Sequence, residues 1–180
     1  MKRRAFLSTI AATPALGTLF IPPDDRDLLI ALADAILPSE LGRDGVRRNI
    51  DRFERWVSNF RPGAELNHGY GTAELQYTVA DPWPRWRTQL GALDADARVR
   101  YRAGFAEIRR EQRHAMISAL LEAQNVERIP PSPIVADHVA LALLGWFYNQ
   151  PEATDLAYRA RIAKETCRPL AETVNQPRPL

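Results

Sequence analysis

The stretch Val46-Arg47-Arg48-Asn49-Ile50-Asp51-Arg52-Phe53-Glu54-Arg55-Trp56-Val57-Ser58-Asn59-Phe60 decides the fold. Its apolar residues Val46, Ile50, Phe53, Val57 and Phe60 recur at spacings of 4, 3, 4 and 3. That period puts them on one face of an α-helix, with Arg47, Arg48, Asp51, Arg52 and Glu54 on the others. One face is core and the rest meets water. Pro62-Gly63 ends the helix.

The same period recurs on both sides. Upstream, Asp24 and Asp25 precede Leu28, Leu29, Leu32, Ala35 and Ile36. Acidic residues in a first turn complement the helix dipole, and Pro38 stops the element. Leu41 to Gly45 reads as a loop. Downstream, residues 62–82 hold Gly63, Gly69, Gly71 and Pro82 with His68, Tyr70 and Tyr77, a long connection with one helical turn expected near Ala73–Tyr77. Trp83, Trp86, Leu90 and Leu93 open another helix. Asp94 is placed to cap a further one through Val99 and Tyr101. Phe105, Ile108, Ala115, Ala119, Leu120 and Ala123 follow on a long amphipathic helix whose exposed side carries Arg109, Arg110, Glu111 and Arg113.

Pro130, Pro131 and Pro133 make a stiff break. Ser132-Pro133 has the form of a helix start, with a hydroxyl cap and proline at the first position. From Ile134 to Tyr148 the chain is apolar all round, as a buried central helix requires, although Asp137 and His138 interrupt it. That run is too short and too polar to cross a membrane. Asn149-Gln150-Pro151 ends it, a last helix is expected from about Glu152 to Cys167, and the proline-bearing tail from Pro169 to Leu180 is expected to be extended. No useful strand alternation and no internal repeat appear. The expected fold is all-α, a single-domain bundle of five to seven helices.

The N-terminus reads as an address. Lys2, Arg3 and Arg4 precede an apolar run from Ala5 to Ile21 that is broken by Ser8, Thr9, Thr13, Pro14, Gly17 and Thr18. A charged start and a modest apolar stretch are the marks of an export signal, and a spanning helix needs about 20 strongly apolar residues. Arg3-Arg4-Ala5-Phe6-Leu7 has the order of a twin-arginine signal, read by a translocase. An ordinary basic start with two adjacent arginines is the plainer alternative, but Phe6-Leu7 directly after Arg3-Arg4 favours the specific one. Residues 1–22 are therefore assigned to the signal segment and 23–180 to the helical domain. Ala15-Leu16-Gly17 is a weak cleavage site, so retention of the segment as an anchor is also open.

Charge narrows the partners. Of the 24 basic residues 22 are Arg, and without Lys2, Arg3 and Arg4 the chain has 21 basic against 22 acidic residues. With a near-neutral body and no basic run longer than two, a nucleic-acid partner is not expected.

Catalytic and cofactor motifs are missing from the sequence. Gly69-Tyr70-Gly71 lacks the third glycine and the preceding strand of a dinucleotide fingerprint. No phosphate-binding glycine loop with lysine, nucleophile elbow or His-Glu-x-x-His occurs. The lone Cys167 excludes an internal disulfide, a haem attachment pair and a four-cysteine cluster. It reads either as a small buried apolar residue or as a bond to another chain. His68, His114 and His138 fall on different elements. His68 and His138 with nearby acids are the material for a rival reading, a free-standing exported helical enzyme or metal-binding protein. Glu107 and Glu111 lie one turn apart, but Arg109, Arg110 and Arg113 around them favour a solvated salt-bridge face.

One local feature stands out. In Asp81-Pro82-Trp83-Pro84-Arg85-Trp86-Arg87, tryptophan and arginine, the residues most enriched at binding hot spots, sit at a loop-to-helix junction. Trp83, Arg85 and Trp86, with Cys167, are the candidate partner contacts. The alternative is that the two indoles cover the core.

Arg3-Arg4-Ala5-Phe6-Leu7, followed closely by Leu29-Ile30-Ala31-Leu32-Ala33-Asp34-Ala35-Ile36-Leu37-Pro38, resembles the small subunit, subunit 3, of gluconate 2-dehydrogenase and related sugar dehydrogenases. The resemblance is clearest in roughly the first 40 residues and diffuse beyond. It implies a small subunit with no redox centre of its own and no catalytic, cofactor or metal residues. It also implies a large FAD-bearing partner of the glucose–methanol–choline type, often joined by a multihaem cytochrome c. The small subunit would act, chaperone-like, in the large subunit's assembly and export. The expected location is the periplasm, in association with the inner membrane.

Overall fold

A computed structural model of the chain describes residues 21–64 and 77–158. Six α-helices make up the described part: α1 Pro23–Ile36, α2 Gly42–Ser58, α3 Trp83–Tyr101, α4 Arg110–Ala123, α5 Val139–Tyr148 and α6 Pro151–Tyr158. No β-strand occurs among the described residues. The architecture is the expected all-α bundle.

Helix α1 is the hub, packing against α2, α3, α4 and α5. Pro23 sits in its first turn, with Asp24 and Asp25 beside it, and Leu29, Ala31, Leu32, Ala33 and Ala35 are buried. Three of those five buried residues are alanines, which lets neighbouring helices approach closely. Its C-terminus leaves carbonyls without intrahelical partners. Arg110 answers them from α4, its Nε donating to the Asp34 carbonyl at 2.7 Å and its Nη2 to the Leu37 carbonyl at 3.3 Å. Arg113 adds an ion pair to the Asp34 carboxylate at 2.5 Å. Arg110 and Arg113 were expected on an exposed face. They lie across α1 instead, because a long apolar stem lets an arginine cover the surface beneath it while its head reaches polar groups beyond.

Helix α2 starts at Gly42, four residues before Val46, so the expected loop from Leu41 to Gly45 is mostly helical. Gly45 is buried, and a Cβ there would come within 3.0 Å of the Leu41 Cβ. Asn49 is fully buried and donates both to the Gly45 carbonyl at 2.9 Å and to Glu152 at 3.1 Å. That second bond ties α2 to α6. Below α2 the chain doubles back: the Gly63 amide donates to the Thr78 carbonyl and the Thr78 amide to the Ala64 carbonyl. The ends of the long connection are thus clamped together. His68 and the turn expected near Ala73 lie outside the described residues.

Helix α3 runs unbroken from Trp83 to Tyr101 and does not restart at Asp94. Its buried residues Trp83, Trp86, Leu90, Leu93 and Ala97 keep one 3–4 spacing throughout, so nothing in the packing calls for a break. The Asp94 carboxylate accepts from the Phe105 amide instead, at 2.8 Å. Arg102, at φ 58°, ends the helix in the left-handed region. Phe105 and Ile108 are core residues on the connecting turn, and α4 begins only at Arg110.

Ser132-Pro133 begins no α-helix. Pro133–Val135 forms a single 3-10 turn, and α5 starts at Val139 with His138 as its cap. Pro130 and Pro131 strap across α5, where Gly145 leaves room for the Pro130 carbonyl: a Cβ would stand 3.1 Å from that oxygen. Eight of the ten α5 residues are buried, as a central helix requires. Helix α5 ends at Tyr148 with Asn149 as its cap, as expected, and Pro151 opens α6, since proline is tolerated in a first turn.

Candidate functional site

The core meets the candidate interface at an aromatic cluster. Phe53 of α2 lies 5.7 Å from Trp56 and 5.8 Å from Trp86, both stacked, and 5.6 Å from Trp146 edge-on. Trp86 is fully buried and Trp83 is 5% exposed. The alternating spacing along α3 turns both indoles inward, and the Asp81 carboxylate fixes the start of the turn by accepting from the Trp83 amide at 2.9 Å. Both indoles therefore pack into the core. Arg85 is exposed, and its Nη2 donates to the Ala136 carbonyl at 2.6 Å, joining α3 to the segment before α5. Cys167 and the signal residues Arg3, Arg4, Phe6 and Leu7 lie outside the described residues.

His138 is 3% exposed. Its Nδ1 accepts from the Ala140 amide at 3.1 Å, so the capping nitrogen is unprotonated. Burial pushes its pKa down to about 4. A neutral, capping imidazole is a structural group. His114 is exposed on α4, far along the chain from His138. No group of three or more His, Cys, Asp or Glu able to hold a metal occurs among the described residues. Glu107 is used locally, accepting from the Gly104 amide at 2.8 Å.

A groove of about 410 Å³ runs between α1 and α2. Ile30, Ala31 and Val46 contribute apolar surface, and Arg43, Arg47 and Arg113 contribute cations. The sequence pattern puts Arg43 in a loop, Arg47 on a polar face of α2 and Arg113 on the exposed side of α4. Their signal was their position: Arg43 and Arg47 stand in the first two turns of α2, where the helix dipole disfavours positive charge. No helix among the described residues is long and apolar enough to cross a membrane.

The arrangement is a tightly packed helical body whose buried polar groups serve structure. The family model for gluconate 2-dehydrogenase subunit 3 matches residues 23–160. The chain belongs to the gluconate 2-dehydrogenase subunit 3 family. The match spans α1 to α6 and so extends well past residues 29–38. No curated protein and no solved structure matches the chain. A subunit 3 protein is one component of a multi-subunit dehydrogenase, so partner subunits are part of its setting.

Proposed function

We propose that this chain is the non-catalytic small subunit of a periplasmic, flavin-dependent sugar or alcohol dehydrogenase. Its partner would be a large FAD-bearing subunit of the glucose–methanol–choline type, often joined by a multihaem cytochrome c. The single observation that carries this reading is the family match over residues 23–160. The order Arg3-Arg4-Ala5-Phe6-Leu7 supports the export part. A translocase that moves folded cargo would let one signal carry a preassembled pair. The buried roles of Trp83, Trp86 and His138 support a scaffold rather than a reaction centre.

The export role is tested by changing Arg3 and Arg4 to lysine together and following the large subunit by fractionation. The expected result is that both chains stay in the cytoplasm. A large subunit that reaches the periplasm unaided overturns the escort role and leaves the subunit role standing.

A further inference from the structure

We propose that the groove between α1 and α2 is a docking site for an acidic, partly apolar segment of the large partner subunit, seated on Arg43 and Arg47. This rests on the subunit reading above and adds the surface and the chemistry of the contact.

The argument starts from unpaired charge. Other arginines of α1, α2 and α4 are engaged: Arg26 with Asp51 and Glu54, Arg52 with Glu152, Arg113 with Asp34. Arg43 and Arg47 make no ion pair or hydrogen bond among the described residues, though both line the groove. They lie one turn apart on the same face of α2. Arg48, equally unpaired among the described residues, adds a third cation on the adjacent face. Three exposed cations near the positive end of a helix repel the dipole and one another. Asp44 in the same turn and Asp27 across the groove offset part of this charge without pairing with it, and an incoming carboxylate would offset the rest.

The rest of the groove says what kind of anion fits. Ile30 and the exposed Ala106 line it with apolar surface above the buried Ala31 and Val46. A small inorganic anion has no use for that surface. A peptide segment carrying a carboxylate beside an apolar side chain satisfies both. On the far wall Arg113 is held by Asp34, and its Nε is buried with no hydrogen-bond partner. Asp27 also lines the groove, so the unpaired lining is two cations against one carboxylate. An arginine pair gives a carboxylate the two-pronged hydrogen bonding that lysine cannot.

The test uses the full tagged chain in its native host, with the large subunit at its natural level. The charge-reversal pair R43E/R47E is compared with R100E/R128E, which changes charge equally on surfaces away from the groove. The readout is co-purified flavin per tagged chain. R43E/R47E is expected to lose about tenfold or more, as removing paired interface charges does. R100E/R128E is expected to keep the wild-type level, and added salt to weaken the wild-type complex. The isolated R43E/R47E chain is expected to melt at or above the wild-type temperature, because the dipole repulsion is gone. If that variant melts lower, R43Q/R47Q replaces it, with the same direction of loss expected. Retention of the partner by the groove variant, or equal loss by both variants, overturns the proposal. A wild-type chain that brings no flavoprotein overturns the subunit reading itself.

Discussion

The Phe105 amide donates to the Asp94 carboxylate at 2.8 Å, tying the middle of α3 to the turn that follows it. Arg98 holds the same carboxylate from one turn along, at 2.8 Å. Partial burial works against the charge on Asp94, but the Phe105 amide and Arg98 outweigh it and hold the carboxyl below its usual range. Gly104 makes room for this contact, since a Cβ there would stand 2.9 Å from the Asp94 Oδ1. Gly104→Ala is therefore expected to destabilise the fold by about 1–3 kcal/mol through the displaced hydrogen bond, and Asp94→Ala by a similar amount. Because the Asp94 pKa is depressed, its contribution is present at neutral pH and fades as pH falls below the ordinary aspartate value. Urea unfolding at neutral and acid pH checks both statements.

Trp86 fills the aromatic cluster, yet its indole Nε1 is buried with no hydrogen-bond partner. Trp86→Ala removes the packing and is expected to cost about 3–5 kcal/mol. Trp86→Phe keeps a ring against Phe53 and removes the orphan donor, so the cost is expected to fall below about 2 kcal/mol. Equal losses in thermal melts of the two variants would contradict this account of the site.

His138 caps α5 in its neutral form, and burial lowers its pKa from 6.5 to about 4. The unfolded chain then takes up the proton first. Stability is expected to decline as pH falls from about 6.5 towards 4 and to level off below, with a total effect on the order of 3 kcal/mol. His138→Asn retains a capping group without titrating there. Its melting temperature is expected to show a flatter dependence over that window than the wild type.

Arg110 closes the C-terminal end of α1 through the Asp34 and Leu37 carbonyls. Arg110→Ala is expected to cost about 1–2 kcal/mol, and Arg110→Lys less, since a cation remains beside the helix end. Hydrogen exchange of the last turn of α1 should rise in the alanine variant. Unchanged exchange there would show that α1 does not depend on this contact.

The fold was legible where apolar spacing and proline agreed. Pro23, Asp24 and Asp25 open α1 and Pro38 follows its end, while Ile50, Phe53 and Val57 set the buried face of α2. It was less legible where one residue serves two structural purposes. Asp94 has the chemistry of a helix cap, but its partner is an amide eleven residues on, which no local pattern reveals. Phe105 and Ile108 keep a helical spacing while lying on a turn, because core packing needs only two side chains pointing the same way. Ser132-Pro133 matched a helix start, and the chain deferred that start to His138, whose ring nitrogen does the capping. Whether Trp83 and Trp86 faced a partner or the core depended on which way α3 rolls, and the packing of α3 against α1 and α5 decides that. Arg43 and Arg47 carried no motif; only the fold shows that they line a groove without an ion pair among the described residues.

The most direct test of the account is purification of the tagged full chain from the periplasm of its native host under gentle conditions, followed by flavin absorbance and mass determination. The account predicts a yellow complex containing a much larger flavoprotein with dehydrogenase activity. A colourless, monodisperse chain recovered alone would contradict it.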